Sequence, residues 1–346
     1  MLARSPAVKA LGFVSKPLES DIGEGEAPAQ FGKRLTLPVL RRTLIVCFGF
    51  GIALLVGTSA IGQEKQPEVD PSEALAEVKL PQAELNTDSV AALTTEIERT
   101  AEAGRKAGLH AQRAKQYMRA QQWNKAAADY RKAADLKPED SMHWMRGAVL
   151  LRLADNRMHF DQLAKEMLKH YQDTTNPYAA ERTAKMCWLP VPPVDERELA
   201  EKLSNFSMER RRRPWGEYYP TTRALGHFRY GEYDEALKAI AESDRMNAAK
   251  EKPQADLDTI NRMLAAMSLA KLDRHDEALA ELQRGTATLR KQVADVDELY
   301  DGGFWNDWLF AKLLHDEARQ LVLTEAPIGY DSPQAAYAAA KRAYDK

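Results

Sequence analysis

From Ile97 onward apolar residues recur at helical spacing. After His159, for example, Phe160, Leu163, Ala164, Met167, Leu168 and Tyr171 fall on one helix face. No run of alternating β-branched residues suggests a strand, so the pattern predicts an all-helical chain. Prolines punctuate it. Pro138, Pro177, the Pro190-Pro192-Pro193 cluster, Pro214, Pro220, Pro253 and Pro327 each stand where a helix should end or begin. Asp195 followed by Glu198 reads as a capping box, and Ser332-Pro333 as an N-cap with the favoured first-turn proline.

Two stretches near the amino end break this pattern. Thr43 to Gly62 is a run of 20 residues without a charge, preceded by Arg41 and Arg42, long enough for a transmembrane anchor or a signal-peptide core. The leader, residues 1–42, carries seven Lys/Arg against four Asp/Glu, which predicts that it stays cytoplasmic and the rest is exported. Ala60 and Gly62 are small enough for a signal peptidase. The two addresses left open are a membrane-anchored exported domain and a periplasmic or secreted one cleaved near Gly62. Residues 63–100, where Pro67, Pro71 and Pro81 stand among an excess of acids, read as a solvated linker. A helical repeat domain over 101–323 and a C-terminal helix over 324–346 complete the division.

Short helix pairs prompt a search for internal repeats. In Ala107 to Asp140, AGLHAQRAKQYMRAQQWNKAAADYRKAADLKPED, counting Ala107 as position 1 of 34, Ala114 falls at 8 and Tyr117 at 11. Ala126 falls at 20, Tyr130 at 24, Ala133 at 27 and Pro138 at 32. This segment resembles a tetratricopeptide repeat, in which small residues let paired helices approach, aromatics fill the seams and proline ends the second helix. His110 and Arg113 depart from the usual Trp and Leu. Ser141 to Gln172 is a half-match, with Trp144 and Ala148 in place but Phe160 replacing an alanine. Gly231-Glu232-Tyr233-Asp234-Glu235-Ala236-Leu237 and Arg274-His275-Asp276-Glu277-Ala278-Leu279 repeat the turn between helices. They lie 42 residues apart (278 − 236), so inserted or lengthened helices are expected around Asn247 to Asp256. The fold class expected is all-α, a tetratricopeptide-like helical-hairpin array, an irregular α-solenoid.

Ala107 to Val322 is also similar to the helical repeat region that follows the kinase domain in certain bacterial Ser/Thr protein kinases. The likeness lies in Trp144 to Leu153, Asp173-Thr174-Thr175-Asn176-Pro177, Ala180-Glu181-Arg182-Thr183-Ala184 before Cys187, and Trp305-Asn306-Asp307-Trp308-Leu309. The chain lacks the glycine-rich loop, His-Arg-Asp loop and Asp-Phe-Gly that phosphoryl transfer requires.

The tetratricopeptide resemblance implies a concave surface lined by the first helix of each pair. Its groove positions fall on Lys115, Met118 and Arg119, then on Met145, Val149 and Arg152. The later repeats contribute Tyr218, Thr221, Leu225, Phe228 and Arg229, then Met263, Met267 and Lys271. Such a face suits a protein or peptide segment with acidic and apolar side chains, or a free carboxylate. Exchange of Arg119 and Arg229 for glutamate is then expected to abolish partner capture without unfolding. The role implied is a non-catalytic protein-interaction scaffold; the alternative is the regulatory or sensor half of a Ser/Thr kinase system with a separate catalytic subunit.

Composition narrows the chemistry. Of 346 residues, 49 are Lys or Arg and 51 Asp or Glu, so no general electrostatic case for a nucleic-acid partner exists. Cys47 and Cys187 are too few for a zinc site or a disulfide scaffold. Seven histidines form no His-Glu-x-x-His pair. No metal, cofactor, small-molecule substrate or catalytic apparatus is expected. The one dense basic run, Arg210 to Arg213, reads as a solvated loop paired with acids, and Trp144, Trp188, Trp215, Trp305 and Trp308 as seam fillers. Asp307-Trp308 and the helix through Val322 are expected to close the array with a polar outer face.

Overall fold

The structure is a computed structural model that describes residues 76–324. The apolar run, the leader and Ser332-Pro333 lie outside the described residues, as does the C-terminal helix beyond residue 324. The described residues form thirteen helices and no strand, an all-helical, repeat-like array. None of these helices is long and apolar enough to cross a membrane.

α1 (Thr87–Arg99) precedes the pairs α2 (Ala103–Arg119) with α3 (Trp123–Leu136), and α4 (Ser141–Leu153) with α5 (Arg157–Tyr171). Next come α6 (Pro177–Trp188) with α7 (Arg197–Met208), α8 (Tyr218–Arg229) with α9 (Tyr233–Ala248), and α10 (Ala255–Lys271) with α11 (His275–Gln292). A short α12 (Val296–Asp301) and the long α13 (Trp305–Thr324) end the described chain. Consecutive helices from α1 to α11 pack together, as do α12 with α13, α4 with α6, α6 with α8, and α8 with α10. The first helices of the last four pairs therefore form a row.

The pairs close where small residues permit it. Ala107, Ala114, Ala126, Ala133, Ala224, Ala236, Ala266 and Ala278 are all fully buried, the backbone approach that the alanine spacing requires. Phe160, which stands in for an alanine, is also fully buried, so the half-matching pair keeps its core with a larger filler. Trp144 Nε1 and Tyr171 Oη both donate to the Pro138 carbonyl, at 3.1 and 2.6 Å, which ties the proline break to the next pair.

Four of the five pairs share one turn. Gln121, Asp155, Gly231 and Asp273 adopt positive φ, at 52, 50, 78 and 58°, each two residues before the second helix begins. In every case the left-handed residue donates to the carbonyl three back, and its successor to the carbonyl five back. Gly231 N–H bonds Phe228 at 3.1 Å and Glu232 N–H bonds His227 at 2.9 Å, and Asp273 and Arg274 bond Ala270 and Leu269 at 3.1 and 2.9 Å. These bonds satisfy helix-end carbonyls that would otherwise be orphaned. The first two turns are 34 residues apart (155 − 121) and the last two 42 (273 − 231). Most of the extra length lies in α9 and α10, of 16 and 17 residues against 14 and 13 in α3 and α4, with the rest in the connection after Asn247. The Asn247 side chain exchanges two hydrogen bonds with the Gln254 backbone and fixes the bend between them.

Three expectations need correction. The linker does not run to residue 100: Asn86 caps α1 by accepting from Ser89 N–H. Before it, Val78 is buried, Ala83 N–H donates to the Arg119 carbonyl, and Gln121 Nε2 donates to the Leu80 carbonyl. Alternation was hidden there by acids that face outward. The Asp195–Glu198 capping box does not form, because α7 starts one residue late, with Glu196 at the cap and no side-chain bond; Val194 N–H is instead held by the Cys187 carbonyl. Finally, α13 does not close the end of the array with a polar face. It packs on α10, α11 and α4, and Trp305, Trp308, Leu309, Phe310, Leu314, Ala318 and Val322 are buried.

Candidate functional site

The first helices α4, α6, α8 and α10 present their inner faces to α13. Arg146 of α4 lies over the Trp305 ring at 5.2 Å, and Lys185 of α6 over the Phe310 ring at 5.5 Å. Arg229 of α8 holds Glu317 through both terminal nitrogens, and α10 packs along α13 directly. The face that a partner segment would line in an open array is covered by α13, the last of the described helices.

That placement decides the fate of the predicted groove residues. Met118, Met263 and Met267 are 0% exposed and Leu225 is 1%. Val149, Phe228 and Thr221 are buried as well, so none of these offers a partner a free surface in this state, whereas Met145, also largely buried, borders a cavity. Arg229 also donates to the Trp188 and Leu189 carbonyls, and Arg119 pairs with Asp297 and Asp301 of α12. Both arginines are engaged within the chain, Arg229 in a buried pair and Arg119 at the surface, so glutamate at position 229 would face Glu317. Arg152 is half-buried with its Nε unpartnered; burial first, then the nearby Arg157, lowers its pKa. Lys115 is half-buried and Lys271 exposed. Tyr218 donates to Asp256 Oδ2 at 2.6 Å, and burial, then the Asp256 charge, pushes its pKa up.

What stays open is a cavity of about 170 Å³ between α4, α6, α8 and the start of α13. Met142, Met145, Tyr178, Tyr219, Trp215 and Phe304 supply its apolar wall, and Glu181, Arg182, Lys185 and Asp307 its charges. Trp215 and Phe304 meet at 5.4 Å between ring centroids. Trp215 is 43% exposed, alone among the five tryptophans expected as seam fillers, and stands at the cavity's edge with Lys250 Nζ 4.8 Å from its ring centre.

The charges form a buried network. Glu181 and Lys185, one turn apart on α6, pair at 2.7 Å and are each about 4% exposed. Thr222 Oγ1 also donates to Glu181. Burial pushes the Asp307 carboxyl up to about 7, with Lys185 opposing that rise and the Asp256 and Glu181 carboxylates adding to it. Three carboxylates around one ammonium cannot all ionise cheaply. Asp256 moves in the same direction through burial. Arg182 differs from its neighbours: its one hydrogen bond runs from Nη1 to Ser141 Oγ at 2.9 Å, and among the described residues it forms no ion pair.

Of the residues singled out in the sequence as groove positions, only Met145 and Tyr218 line this cavity. Glu181, Arg182, Lys185, Trp215 and Asp307 were missed as a site, because the repeat frame is lost between Gln172 and Glu217, where α6 lies. The usable signal was chemical: Glu181, Arg182 and Lys185 stand within one turn of a helix whose other residues are mostly apolar, and Asp307 interrupts an aromatic run. The basic run behaves as a solvated turn, with Arg210 on Glu209 and Arg211 on Glu242. Cys187 is buried and free, its thiol pushed up to about 12 by burial, then by the Glu196 charge, so it is unreactive near neutrality. Comparison of the chain with family models, with curated proteins and with solved structures finds no match.

Proposed function

We propose that the chain is a non-catalytic interaction scaffold, a tetratricopeptide-like array tethered to or exported across a membrane, that takes a short peptide segment in the cavity beside α13. The single observation that carries this reading is Arg182, a guanidinium without a carboxylate partner in a wall of aromatic and methionine side chains. A planar fork beside rings suits a carboxylate flanked by an apolar side chain. The other charged groups of the cavity are already engaged: Glu181 with Lys185 and Thr222, and Asp307 with Asn306 at 2.9 Å. That arrangement supports binding over nucleophilic chemistry. The four matching turns and the 34-residue spacing of the first two support the repeat type, and the uncharged run Thr43 to Gly62 supports the membrane address.

The test compares acetyl-Phe-Glu, with both carboxylates free, against acetyl-Phe-Gln amide by titration calorimetry on the full-length protein. The acidic probe should bind and the amide should not, and Arg182→Gln should weaken binding roughly tenfold or more, the worth of a charge-assisted hydrogen bond. Equal affinity of Arg182→Gln and the parent, or equal binding of both probes, would overturn the proposal. Asp307 adds a pH dependence: above about pH 7 its carboxylate shares the cavity with the ligand's own charge. Affinity for the acidic probe should therefore rise as pH falls from 8 to 6, and Asp307→Asn should flatten that dependence.

A further inference from the structure

A second cavity of about 250 Å³ opens between α6, α7 and α8, away from the α13 face. Its floor is tight: a Cβ on Gly226 would stand 2.8 Å from the Trp188 ring, so only glycine lets α8 come this close to α6. Along one wall runs a short chain of polar groups. Glu232 accepts from His227 Nδ1 at 2.6 Å, which leaves Nε2 as the acceptor, and Arg223 Nε donates to it at 3.3 Å. Glu232 is held below the usual carboxylate range, first by the His227 hydrogen bond, so this strut is anchored by a stable charge.

The strut fixes the guanidinium of Arg223 by its inner nitrogen and leaves both terminal nitrogens unbonded. Arg223 forms no ion pair among the described residues. Arg197, by contrast, is engaged by Glu201 and Glu232 at 2.7 and 2.9 Å. Facing the same cavity is Ser204, 2% exposed, whose hydroxyl has no hydrogen-bond partner. A buried hydroxyl without a partner is costly, and its place in the lining of the same cleft as a free guanidinium fork points to an absent acceptor. A serine–histidine hydrolytic arrangement does not account for the pair, because His227 Nε2, the nitrogen that would take the serine proton, is occupied by Arg223.

We propose that this cleft binds an oxyanion, a carboxylate or phosphate group, gripped by the two terminal nitrogens of Arg223 and by the Ser204 hydroxyl, with His227 as a positioning residue. The lining carries two arginines and two glutamates, and both glutamates already face Arg197 or His227. A single negative charge is the load the site accommodates. The inference is independent of the peptide cavity, since no residue lines both.

Acetate and inorganic phosphate, each against sodium chloride of equal ionic strength, are titrated calorimetrically into the full-length protein. At least one should bind. Acetate alone marks a carboxylate ligand, phosphate alone a phosphorylated one, and both a general oxyanion site. Arg223→Gln should weaken binding tenfold or more. Arg223→Lys, which keeps the charge and loses the fork, should weaken it less, and Ser204→Ala severalfold. Exposed Arg213 serves as control, and Arg213→Gln should change nothing. Binding of neither anion, or undiminished binding by Arg223→Gln, would overturn the proposal. Should that variant fail to fold, unchanged affinity in both Arg223→Lys and Ser204→Ala would overturn it equally.

Discussion

Asp307 is the residue at which burial and charge most oppose one another. Its folded-state pKa of about 7 stands above the ordinary 3.8, so between roughly pH 4 and 7 the folded chain holds a proton that the unfolded chain releases. Stability from this group is greatest below pH 4, declines as pH rises through that window, and levels off above 7. Asp307→Asn keeps the shape and removes the charge. It should stabilise the protein by about 2 kcal/mol at pH 8 and by little at pH 4, read as the denaturant midpoint at each pH; the full shift would give roughly 4 kcal/mol, and partial exposure reduces it. Arg229 makes the opposite case. With its side chain 3% exposed and Glu317 opposite, Arg229→Glu leaves two facing carboxylates and should cost about 3–5 kcal/mol, measured as loss of unfolding free energy.

At the scale of the element, the recurring left-handed turn explains why helix pairs repeat without a strict sequence period. Only one of the four positions is glycine, so three side chains occupy a conformation that disfavours them. Asp273→Gly should stabilise by about 0.5–1 kcal/mol and Gly231→Ala destabilise by about 1 kcal/mol, both checked by equilibrium unfolding with unchanged helical circular dichroism. The helices, their proline breaks and the alanine crossings were legible in the sequence because each is a local rule of spacing. α1 was less legible. Its buried contribution is the single residue Ile97, with Val90 and Leu93 half-buried on the same face, so its apolar stripe is short and ends a segment dominated by acids. The α7 start falls one residue later than expected although Asp195 is the better cap residue, because the Val194 N–H bond to the Cys187 carbonyl sets the chain's entry into the helix.

At the scale of the molecule, the row of first helices is not an open trough. It is packed against α13, which supplies the aromatic and aliphatic side chains that a partner would otherwise bring. This is where sequence reasoning stopped, for a physical reason. A repeat frame assigns residues to an inner face, but inner faces and cores have the same composition, and nothing local distinguishes a methionine awaiting a ligand from one already covered. Long-range burial in the same chain was foreshadowed only by α13 itself, whose apolar residues run around the helix instead of along one stripe. The aromatic cavity with Arg182 and the cleft with Arg223 follow from packing between α6 and its neighbours, the part of the chain without a legible repeat. The account rests on α13 covering the inner face, and methionine oxidation tests that most directly. With dilute hydrogen peroxide on the full-length protein and peptide mass spectrometry, Met158, 72% exposed, should oxidise at the rate of a free methionine. Met267, 0% exposed on α10, the helix packed along α13, should be protected by about a hundredfold or more, until the chain unfolds. Oxidation of Met267 at a rate near that of Met158 would contradict it.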